Sequence, residues 1–248
     1  MTESPVPGTV PRFELAEWRR HGVVAGITGR GTPGRPFDLG LGGAATPTGA
    51  SRDNWRDLLA CFPGFRGATL SRQVHGREIN WGDPEQIAGL VVQPGFDGHA
   101  AESPGILLTV TVADCIPVYL VDPERRLALL IHAGWRGTAA GILPLAIQQM
   151  ADRGAVVDNL LMHCGVGICG ECYEVGREVF EACRLTPPDP GRGRLDLRKV
   201  LEDQGRSAGV SHISSSSHCS AHHRERFFSH RASGGGDGRM VAYLGLVA

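Results

Sequence analysis

Three apolar runs in the middle of the chain constrain its fold most strongly. They are ILLTVTVADC (106–115), PVYLV (117–121) and LALLIHAG (127–134), and only short turns separate them. Apolar, β-branched residues that follow one another without alternation are typical of strands buried on both faces. The runs therefore predict a buried sheet in a domain with a sizeable core, for which 248 residues are sufficient.

Weaker patterns on either side of these strands mix helices with further strands. Helices are predicted with Ser51 and Asp196 as N-caps. Because helices and strands do not alternate regularly, the sequence predicts an α+β fold, a single domain with mixed β-sheets flanked by helices. The further predicted strands are 23–28, 68–76, 160–163, 210–214 and 240–247, the predicted helices are 51–60, 138–151, 173–183 and 195–205, and the predicted loops are 29–43 and 229–239.

The N-terminal residues and the overall charge limit the classes of function. Residues 1–20, which are Pro-rich over 1–12, predict a loose N-terminal arm and leave 21–248 as the folded domain. The arm lacks the basic start and apolar centre of a signal peptide, and no apolar run approaches the roughly 18 residues of a membrane span. Lys plus Arg number 25 and Asp plus Glu 26, so no surface for nucleic acid or membrane is predicted. We therefore expect a cytoplasmic protein.

Reactive side chains stand where three of these stretches end. His75 lies in QVHG, Cys115 in ADCIP and His132 in HAGWRG. A strand end holds a side chain rigidly, while the glycine or proline turn beside it leaves open space. Two imidazoles and one thiolate form a three-ligand set of the catalytic zinc type, in which the open fourth position holds an acidified water.

Two other interpretations of these three residues remain open at this stage. Their spacings of 40 and 17 residues are not a local zinc signature. Cys115 can be a small core residue with each histidine a satisfied polar group. Cys115 and His132 alone can instead form a thiolate nucleophile and its base.

Two charged neighbours also have alternative roles. Arg136 lies four residues after His132, and its guanidinium suits either a phosphate oxygen or a structural ion pair. Asp114 can orient a metal ligand or accept hydrogen bonds from nearby backbone amides.

The remaining cysteines give two further candidate metal sites. Cys164, Cys169 and Cys172 are spaced C-x4-C-x2-C, which is how a plant-type iron–sulfur site begins. A fourth ligand is missing nearby, since Cys183 is predicted on a helix face and Cys219 is far along the chain. The stretch HCSAHH (218–223) can hold a metal locally through its Cys and His residues, or it can be a polar loop.

Five short motifs occur in the order seen in a known family. They are RQVHG, T-x-ADC-x-PV, HAGWRGT, CYEVG and RFFSHR followed by GRM. Over about residues 26–246, the chain resembles the laccase-domain (YfiH-like) family. That family is described as polyphenol oxidases and also as purine nucleoside phosphorylases with adenosine deaminase activity.

The resemblance implies a fold, an activity and a site. It implies that 21–248 is a single catalytic domain related to bacterial deamidating toxins, which use a Cys/His pair. It also implies a zinc-dependent phosphorylase for adenosine-, inosine- and guanosine-type nucleosides, with copper as the alternative metal and a monomer or small homo-oligomer as the assembly. The expected metal and catalytic residues are His75, Cys115 and His132, and the expected residues for nucleoside and phosphate are Arg30, Gln73, Asp114 and Arg136.

The chain departs from the family pattern in two segments. Gly40 stands where the family has asparagine, and Ala232 replaces a second arginine in the C-terminal motif. Both segments are expected near the substrate, so they bear on purine specificity. The 164–172 stretch matches a family loop around Cys172, which makes its iron–sulfur spacing an expected coincidence.

Three rival functions also follow from the sequence. Copper in the site would suit the family's description as phenol oxidases. Cys115 and His132 without a metal would suit an amidohydrolase. A redox module built on Cys164, Cys169 and Cys172 would be no enzyme at all.

Overall fold

The computed structural model describes the backbone of residues 1–248 and every side chain except that of Pro84. The strands are β1 (Ser4–Val6), β2 (Arg12–Glu14), β3 (Val23–Thr28), β4 (Gly31–Thr32), β5 (Arg35–Pro36), β6 (Gly67–Arg72), β7 (Ile79–Trp81), β8 (Gly89–Pro94), β9 (Gly98–Ala101), β10 (Ile106–Val112), β11 (Ile116–Asp122), β12 (Leu127–Ala133), β13 (Leu161–Cys164), β14 (Glu174–Gly176), β15 (Arg192–Arg194), β16 (His212–Ser215) and β17 (Met240–Leu246). The helices are α1 (Gly49–Ala60), α2 (Trp135–Ala139), α3 (Ile142–Ala151), α4 (Arg177–Ala182), α5 (Leu197–Ser207) and α6 (His230–Ser233). Short 3₁₀ turns cover Ala16–His21, Pro84–Gln86 and Val157–Asn159.

Two mixed sheets form the centre of the molecule. The seven-stranded sheet has the order β1-β2-β3-β17-β10-β6-β8, and the six-stranded sheet has the order β16-β13-β11-β12-β9-β7. In the first, β10 pairs antiparallel with β17 and parallel with β6. In the second, β11 pairs antiparallel with both β12 and β13, whereas β13 and β16 run parallel. The predicted α+β single domain with mixed sheets is therefore confirmed.

The sheets stack face to face, and helices cover both outer faces. Along β11, Tyr119 and Val121 pack in the core between the sheets, whereas Val118 and Leu120 pack against α3 and α5. On the other side, Trp55 of α1 packs beneath the seven-stranded sheet. Because β10, β11 and β12 are apolar on both faces, each can contribute to two of these cores.

A buried histidine joins the two sheets. His99 of β9 hydrogen-bonds through Nδ1 to Thr69 Oγ1 (2.9 Å) and through Nε2 to Ser71 Oγ (3.0 Å), both on β6 of the other sheet. Burial lowers the pKa of His99 to about 3, against the opposing influence of Asp97. His99 is therefore a neutral link between the layers at physiological pH.

The first 20 residues differ from the expected loose arm. β1 and β2 extend the seven-stranded sheet, and Glu3 is only 1% exposed. The Glu3 carboxylate accepts a hydrogen bond from Ser216 Oγ (2.6 Å) and lies 3.2 Å from His163 Nε2. Burial opposes ionisation of Glu3, but His163 and Ser216 outweigh it and lower its pKa to about 2. The sequence pattern missed this because both partners lie far along the chain.

Two predicted helices are also corrected. The expected helix at 138–151 is two helices, because Gly141 adopts a left-handed φ of 80° between α2 and α3. The expected helix at 173–183 begins as strand β14 and becomes helical only at α4. Ser51 is not an N-cap, since its hydroxyl donates to the carbonyl of Gly40, whereas Asp196 caps α5 as predicted.

Candidate metal centre and active site

Three side chains converge where the two sheets meet. His75 follows β6 of the seven-stranded sheet, Cys115 lies in the turn that joins β10 to β11, and His132 lies on β12 of the six-stranded sheet. One ligand atom from each lies within 4.8 Å of the others. The two imidazole rings are 4.9 Å apart at their centroids and nearly perpendicular, at 78°. The structure thus brings together three residues that the sequence separates by up to 57 positions.

A buried aspartate that sequence reasoning missed organises this cluster. Asp97 precedes β9 and is fully buried. Its Oδ1 accepts hydrogen bonds from the backbone N–H of His75 (3.0 Å) and from His132 Nδ1 (2.9 Å). Its Oδ2 accepts from the backbone N–H of Val74 (3.1 Å) and Gly76 (2.7 Å). Because Nδ1–H of His132 is held by Asp97, Nε2 is the nitrogen that faces Cys115 and His75.

The charges of these groups stabilise one another. Burial opposes ionisation of Cys115, but the neighbouring His132 and His75 lower the pKa of its thiol to about 6. Burial also disfavours protonated His132, yet Cys115 and Asp97 raise its pKa to about 9. Asp97 keeps a pKa below its ordinary value despite burial, because His132 and the backbone amides favour the carboxylate. Without a metal, and at a pH between these two pKa values, Cys115 is therefore a thiolate beside the imidazolium of His132.

The backbone at the site is held in unusual conformations. His75 has a φ of 59° and Asp114 a φ of 93°, both in the left-handed region. For residues other than glycine this costs of order 1–3 kcal/mol and persists only where surrounding contacts impose it. Asp97 imposes it on His75. Asp114 is fixed because its carboxylate accepts from Ser220 Oγ and from the N–H of Arg231, both at 2.6 Å.

The cluster borders two cavities. One of about 620 Å³ is lined by His75, Cys115 and His132, and a smaller recess of about 270 Å³ is lined by His75 and Cys115. Other side chains that line the larger cavity are Asp38, Leu41, Ser71, Arg72, Gln73, Thr111, His230, Asp237 and Arg239. The smaller recess is lined by Trp135, Arg136, Tyr173 and Arg231, among others. A cavity of several hundred Å³ is of the size that encloses a small organic ligand.

The predicted substrate residues lie in different surroundings. Gln73 borders the larger cavity, but its amide is paired with Thr111, donating to the carbonyl at 2.9 Å and accepting from the N–H at 2.8 Å. The Asp114 carboxylate accepts hydrogen bonds from the Ser220 hydroxyl and the backbone N–H of Arg231. These contacts agree with the second interpretation of Asp114, in which it accepts hydrogen bonds from nearby backbone amides. Arg136 is exposed in the smaller recess, with its guanidinium 4.4 Å from the ring centroid of Trp135.

Arg30 is the predicted residue that the structure does not bring to the cluster. Its guanidinium donates to the carbonyl of Arg224 (2.7 Å) and to Asp237 Oδ1 (3.0 Å), and it stacks 4.9 Å from the ring centroid of Phe228. It lines a separate recess of about 630 Å³ that has no cluster residue in its wall. The motif around Arg30 therefore fixes loop structure next to the site.

Three further residues at the cavity could have been found from the sequence. Arg72 directly precedes Gln73 in RQVHG, and His230 and Arg239 lie in the C-terminal motif already recognised. Each of the three stands in or beside a recognised motif, but none of them ends an apolar strand as His75, Cys115 and His132 do. Asp97 had a weaker signal, because QPGFDG resembles an ordinary turn.

The cysteine-rich stretches are arranged differently from either local prediction. Cys164 lies fully buried on β13 and belongs to the core. Cys169 and Cys172 instead meet Cys219 and His222, so that four candidate ligand atoms lie within 4.8 Å of one another. The expectation that Cys219 is too far away was wrong, because β13 and β16 run side by side and end at the same edge. His218 and His223 turn to other partners, namely the Glu3 carbonyl and the backbone of Cys219.

None of the helices in the described chain is long and apolar enough to cross a bilayer.

The stacked mixed sheets, with a His/Cys/His cluster at their junction, define the class of protein. Residues 38–247 match the sequence profile of the family described as "Multi-copper polyphenol oxidoreductase laccase". The chain belongs to this family, which confirms the resemblance seen in the motifs.

Named relatives cover most of the chain. It is 35% identical over 250 residues to "Purine nucleoside phosphorylase YlmD" of Geobacillus stearothermophilus, spanning 90% of each chain. It is 36% identical over 202 residues to "Purine nucleoside phosphorylase" of Deinococcus radiodurans, spanning 77% of this chain and 76% of the relative. "Adenosine deaminase RL5", from an unknown prokaryotic organism, is 36% identical over 186 residues, spanning 70% and 68%.

Solved structures share the fold over nearly the full length. The crystal structure of YlmD from Geobacillus stearothermophilus superposes with a TM-score of 0.86 at 29% identity, covering 99% of this chain and 100% of that one. The Bacillus licheniformis hypothetical protein YfiH superposes with a TM-score of 0.85 at 26% identity, covering 95% and 96%.

Proposed function

We propose that this protein is a zinc-dependent purine nucleoside phosphorylase that also deaminates adenosine. The observation that carries the proposal is the His75, Cys115 and His132 cluster, which borders a cavity of about 620 Å³. The names of the relatives supply the substrate class, because relatives called purine nucleoside phosphorylase and adenosine deaminase cover more than two thirds of the chain.

The donor set suits a divalent metal with an open coordination position. Two imidazole nitrogens and one thiolate match the three protein ligands of catalytic zinc. The hydrogen bond from His132 Nδ1–H to Asp97 is the outer contact that such a ligand needs, because it leaves Nε2 unprotonated and aimed inward. When bound, zinc supplies Lewis acidity and makes a coordinated water more acidic.

The chain's own residues supply binding and orientation. Phosphorolysis forms a bond from a phosphate oxygen to ribose C1′ and breaks the bond from C1′ to the purine nitrogen. Arg136 is the proposed phosphate residue, because its guanidinium is exposed in the recess beside Cys115 and forms no ion pair among the described residues. Arg72 is exposed on the wall of the larger cavity and offers a second cation. We propose that Gln73 positions the wall of the larger cavity and Asp114 that of the smaller recess, whereas Arg30 holds the neighbouring loop.

The test is product analysis with zinc-loaded protein, adenosine and phosphate. We expect adenine and ribose 1-phosphate only when phosphate is present, and inosine with or without it. Cys115→Ala should abolish both products, and Cys61→Ala, which changes a cysteine outside the cavity, should abolish neither. If neither product exceeds the Cys115→Ala background, the proposal is wrong.

Copper-dependent oxidation of phenols is the second candidate, favoured by the family's description. Imidazole and thiolate ligands also suit copper. A laccase-type reaction uses several copper ions, whereas the described residues form one three-ligand group at this cavity. Phenol oxidation that disappears with a chelator and returns only with copper would support this candidate over the first.

A metal-free amidohydrolase is the third candidate. Asp97 is hydrogen-bonded to His132, whose ring nitrogen lies within 4.8 Å of Cys115 Sγ, and this is the order of a catalytic triad with a cysteine nucleophile. This activity would agree with a relationship between this fold and that of the bacterial deamidating toxins. We propose that relationship on the family resemblance alone. Amide hydrolysis that resists a chelator and is stopped by iodoacetamide would support it.

We also propose that residues 21–248, together with strands β1 and β2 that extend their sheet, act as one catalytic domain of a cytoplasmic monomer or small homo-oligomer. Light scattering on the purified protein would give the assembly state.

A further inference from the structure

A second group of metal-binding side chains lies outside the proposed catalytic site. Cys169 and Cys172 form a C-x2-C pair, and Cys219 and His222 form a C-x2-H pair on another loop. The four ligand atoms lie within 4.8 Å of one another. Two short pairs brought together from separate loops are the usual composition of a four-ligand zinc site.

One distance between ligand atoms in the group matches that in a tetrahedral zinc site, and all four ligand atoms lie within 4.8 Å of one another. Cys169 Sγ lies 3.7 Å from His222 Nδ1. In a tetrahedron with metal–sulfur bonds of about 2.3 Å and metal–nitrogen bonds of about 2.0 Å, neighbouring ligand atoms are roughly 3.5–3.8 Å apart. The group is therefore close to the size that a zinc ion requires.

Contacts around the ligands match those that orient metal ligands. The backbone N–H of Cys169 donates to Cys219 Sγ at 3.3 Å, which favours the thiolate of Cys219. His222 directs Nδ1 to Cys169, while its Nε2 lies 3.9 Å from the Glu171 carboxylate. A carboxylate that accepts from the second imidazole nitrogen commonly orients a metal-bound histidine, and Glu171 stands on that side of His222 at a distance longer than a hydrogen bond.

The two loops are already held together without a metal. The buried guanidinium of Arg198 donates to the carbonyls of Ser216 (3.0 Å), Gly167 (2.7 Å) and His218 (2.5 Å), so it ties one loop to the other. Ser220 N–H donates to the carbonyl of Gly167 at 3.0 Å. These hydrogen bonds therefore bring the three cysteines together even when no metal is bound.

We propose that Cys169, Cys172, Cys219 and His222 bind one Zn²⁺ in a closed, structural site. Four protein ligands leave no open position, so this ion is not a second catalytic centre. The proposal does not depend on the activity or the metal of the His75, Cys115 and His132 cluster.

The position of the site indicates what it stabilises. The loop that carries Cys219 also carries Ser220, whose hydroxyl donates to Asp114 Oδ1. The loop that carries Cys169 also donates from Ile168 N–H to the carbonyl of Asp114 at 2.9 Å. Asp114 directly precedes Cys115 in the sequence. A zinc ion that joins the two loops would therefore fix the backbone on which the catalytic cysteine stands.

Metal content measured by mass spectrometry tests the proposal, with the Cys115→Ala variant used to remove the first site. We expect about two zinc ions per wild-type chain and one in Cys115→Ala. Adding Cys169→Ser or His222→Ala should remove that remaining zinc. Adding Cys61→Ser or His212→Ala should not, because neither residue belongs to a candidate metal group.

A cobalt titration keeps the test informative if the cysteine variant folds poorly. In Cys115→Ala, cobalt bound at this site should give a thiolate-to-cobalt charge-transfer band and the visible bands of tetrahedral cobalt, and His222→Ala should shift them. Zinc that persists after both Cys169→Ser and His222→Ala would overturn the proposal. So would a Cys115→Ala protein that holds no metal, a disulfide among the three cysteines in protein purified under reducing conditions, or iron with a brown colour.

Discussion

Replacing Asp97 with asparagine would keep the size of the side chain and remove the charge that four donors share. Oδ1 accepts from His75 N–H and His132 Nδ1, and Oδ2 accepts from Val74 N–H and Gly76 N–H. The asparagine NH₂ must stand in one of these two places, where it faces two donors. At least two hydrogen bonds to a charged acceptor are then lost.

The expected effects on stability and on metal binding can be estimated separately. A hydrogen bond to a charged group contributes about 1.5–3 kcal/mol, so the loss of two lowers the free energy of unfolding by about 3–6 kcal/mol. Zinc affinity should fall about 10–100-fold, as it does when the outer partner of a metal-bound histidine is removed. The reason is that either the 74–76 turn relaxes or His132 adopts the other tautomer.

Urea unfolding and competition with a chromophoric chelator would measure the two effects. Asp122→Asn is the matched control, since Asp122 is also buried and accepts from the N–H of Glu124, Arg125 and Val156. It should lower stability and leave zinc affinity unchanged. An Asp97→Asn protein within about threefold of wild-type zinc affinity would refute the assignment of Asp97 as the organiser of the site.

Three further predictions concern other residues. The pKa of His99 is lowered to about 3 in the folded state. Below about pH 6.5, His99 therefore binds a proton in the unfolded chain but stays neutral in the folded chain. Stability should therefore fall by up to about 1.4 kcal/mol per pH unit as pH drops from 6.5 towards 3, and His99→Gln should flatten that slope between pH 6 and 4.5 in urea titrations. Gly134→Ala should weaken zinc binding about tenfold in chelator competition with little change in Tm, because its Cβ would lie 3.1 Å from both Cys115 Sγ and His75 Cδ2 while its φ of −77° suits alanine. Equal zinc affinities would show that the ligands move aside freely. Arg136→Gln should raise the KM for phosphate about tenfold and leave the KM for adenosine in deamination unchanged, whereas Arg56→Gln on α1 should change neither in steady-state assays. A uniform loss in both reactions would contradict a phosphate role for Arg136.

The sequence predicted those elements whose burial is continuous along the chain. The strand at 23–28 has the predicted bounds, β10 and β12 lie within their apolar runs, and β11 exceeds its run of 117–121 by one residue at each end. The run at 106–115 was too long by three residues, because Asp114 turns the chain with a positive φ. Short β14 and the break at Gly141 escaped prediction because propensity alone cannot show where tertiary contacts interrupt a helical pattern.

The candidate site was predictable only where its residues stand in motifs. His75, Cys115 and His132 each follow or end an apolar stretch, and this pattern marks them as candidates independently of any family resemblance. Asp97 has no such context, and its four partners lie 21 to 35 residues away. The second cysteine group could not be predicted for a related reason. Cys169 and Cys172 lie in one loop, Cys219 and His222 lie in another, and the parallel strands β13 and β16 bring the two loops together.

The location of the cluster at the junction of the two sheets has a consequence for how the molecule responds to change elsewhere. His75 stands on one layer, His132 stands on the other, and Cys115 lies in the turn that links them. A metal bound to all three cross-links the layers, so its binding free energy and the packing of the inter-sheet core are thermodynamically linked. Leu108 lies in that core. A cavity-forming substitution there should therefore weaken metal binding although Leu108 is not a metal ligand. The affinity for the metal therefore depends on how well the two sheets are aligned.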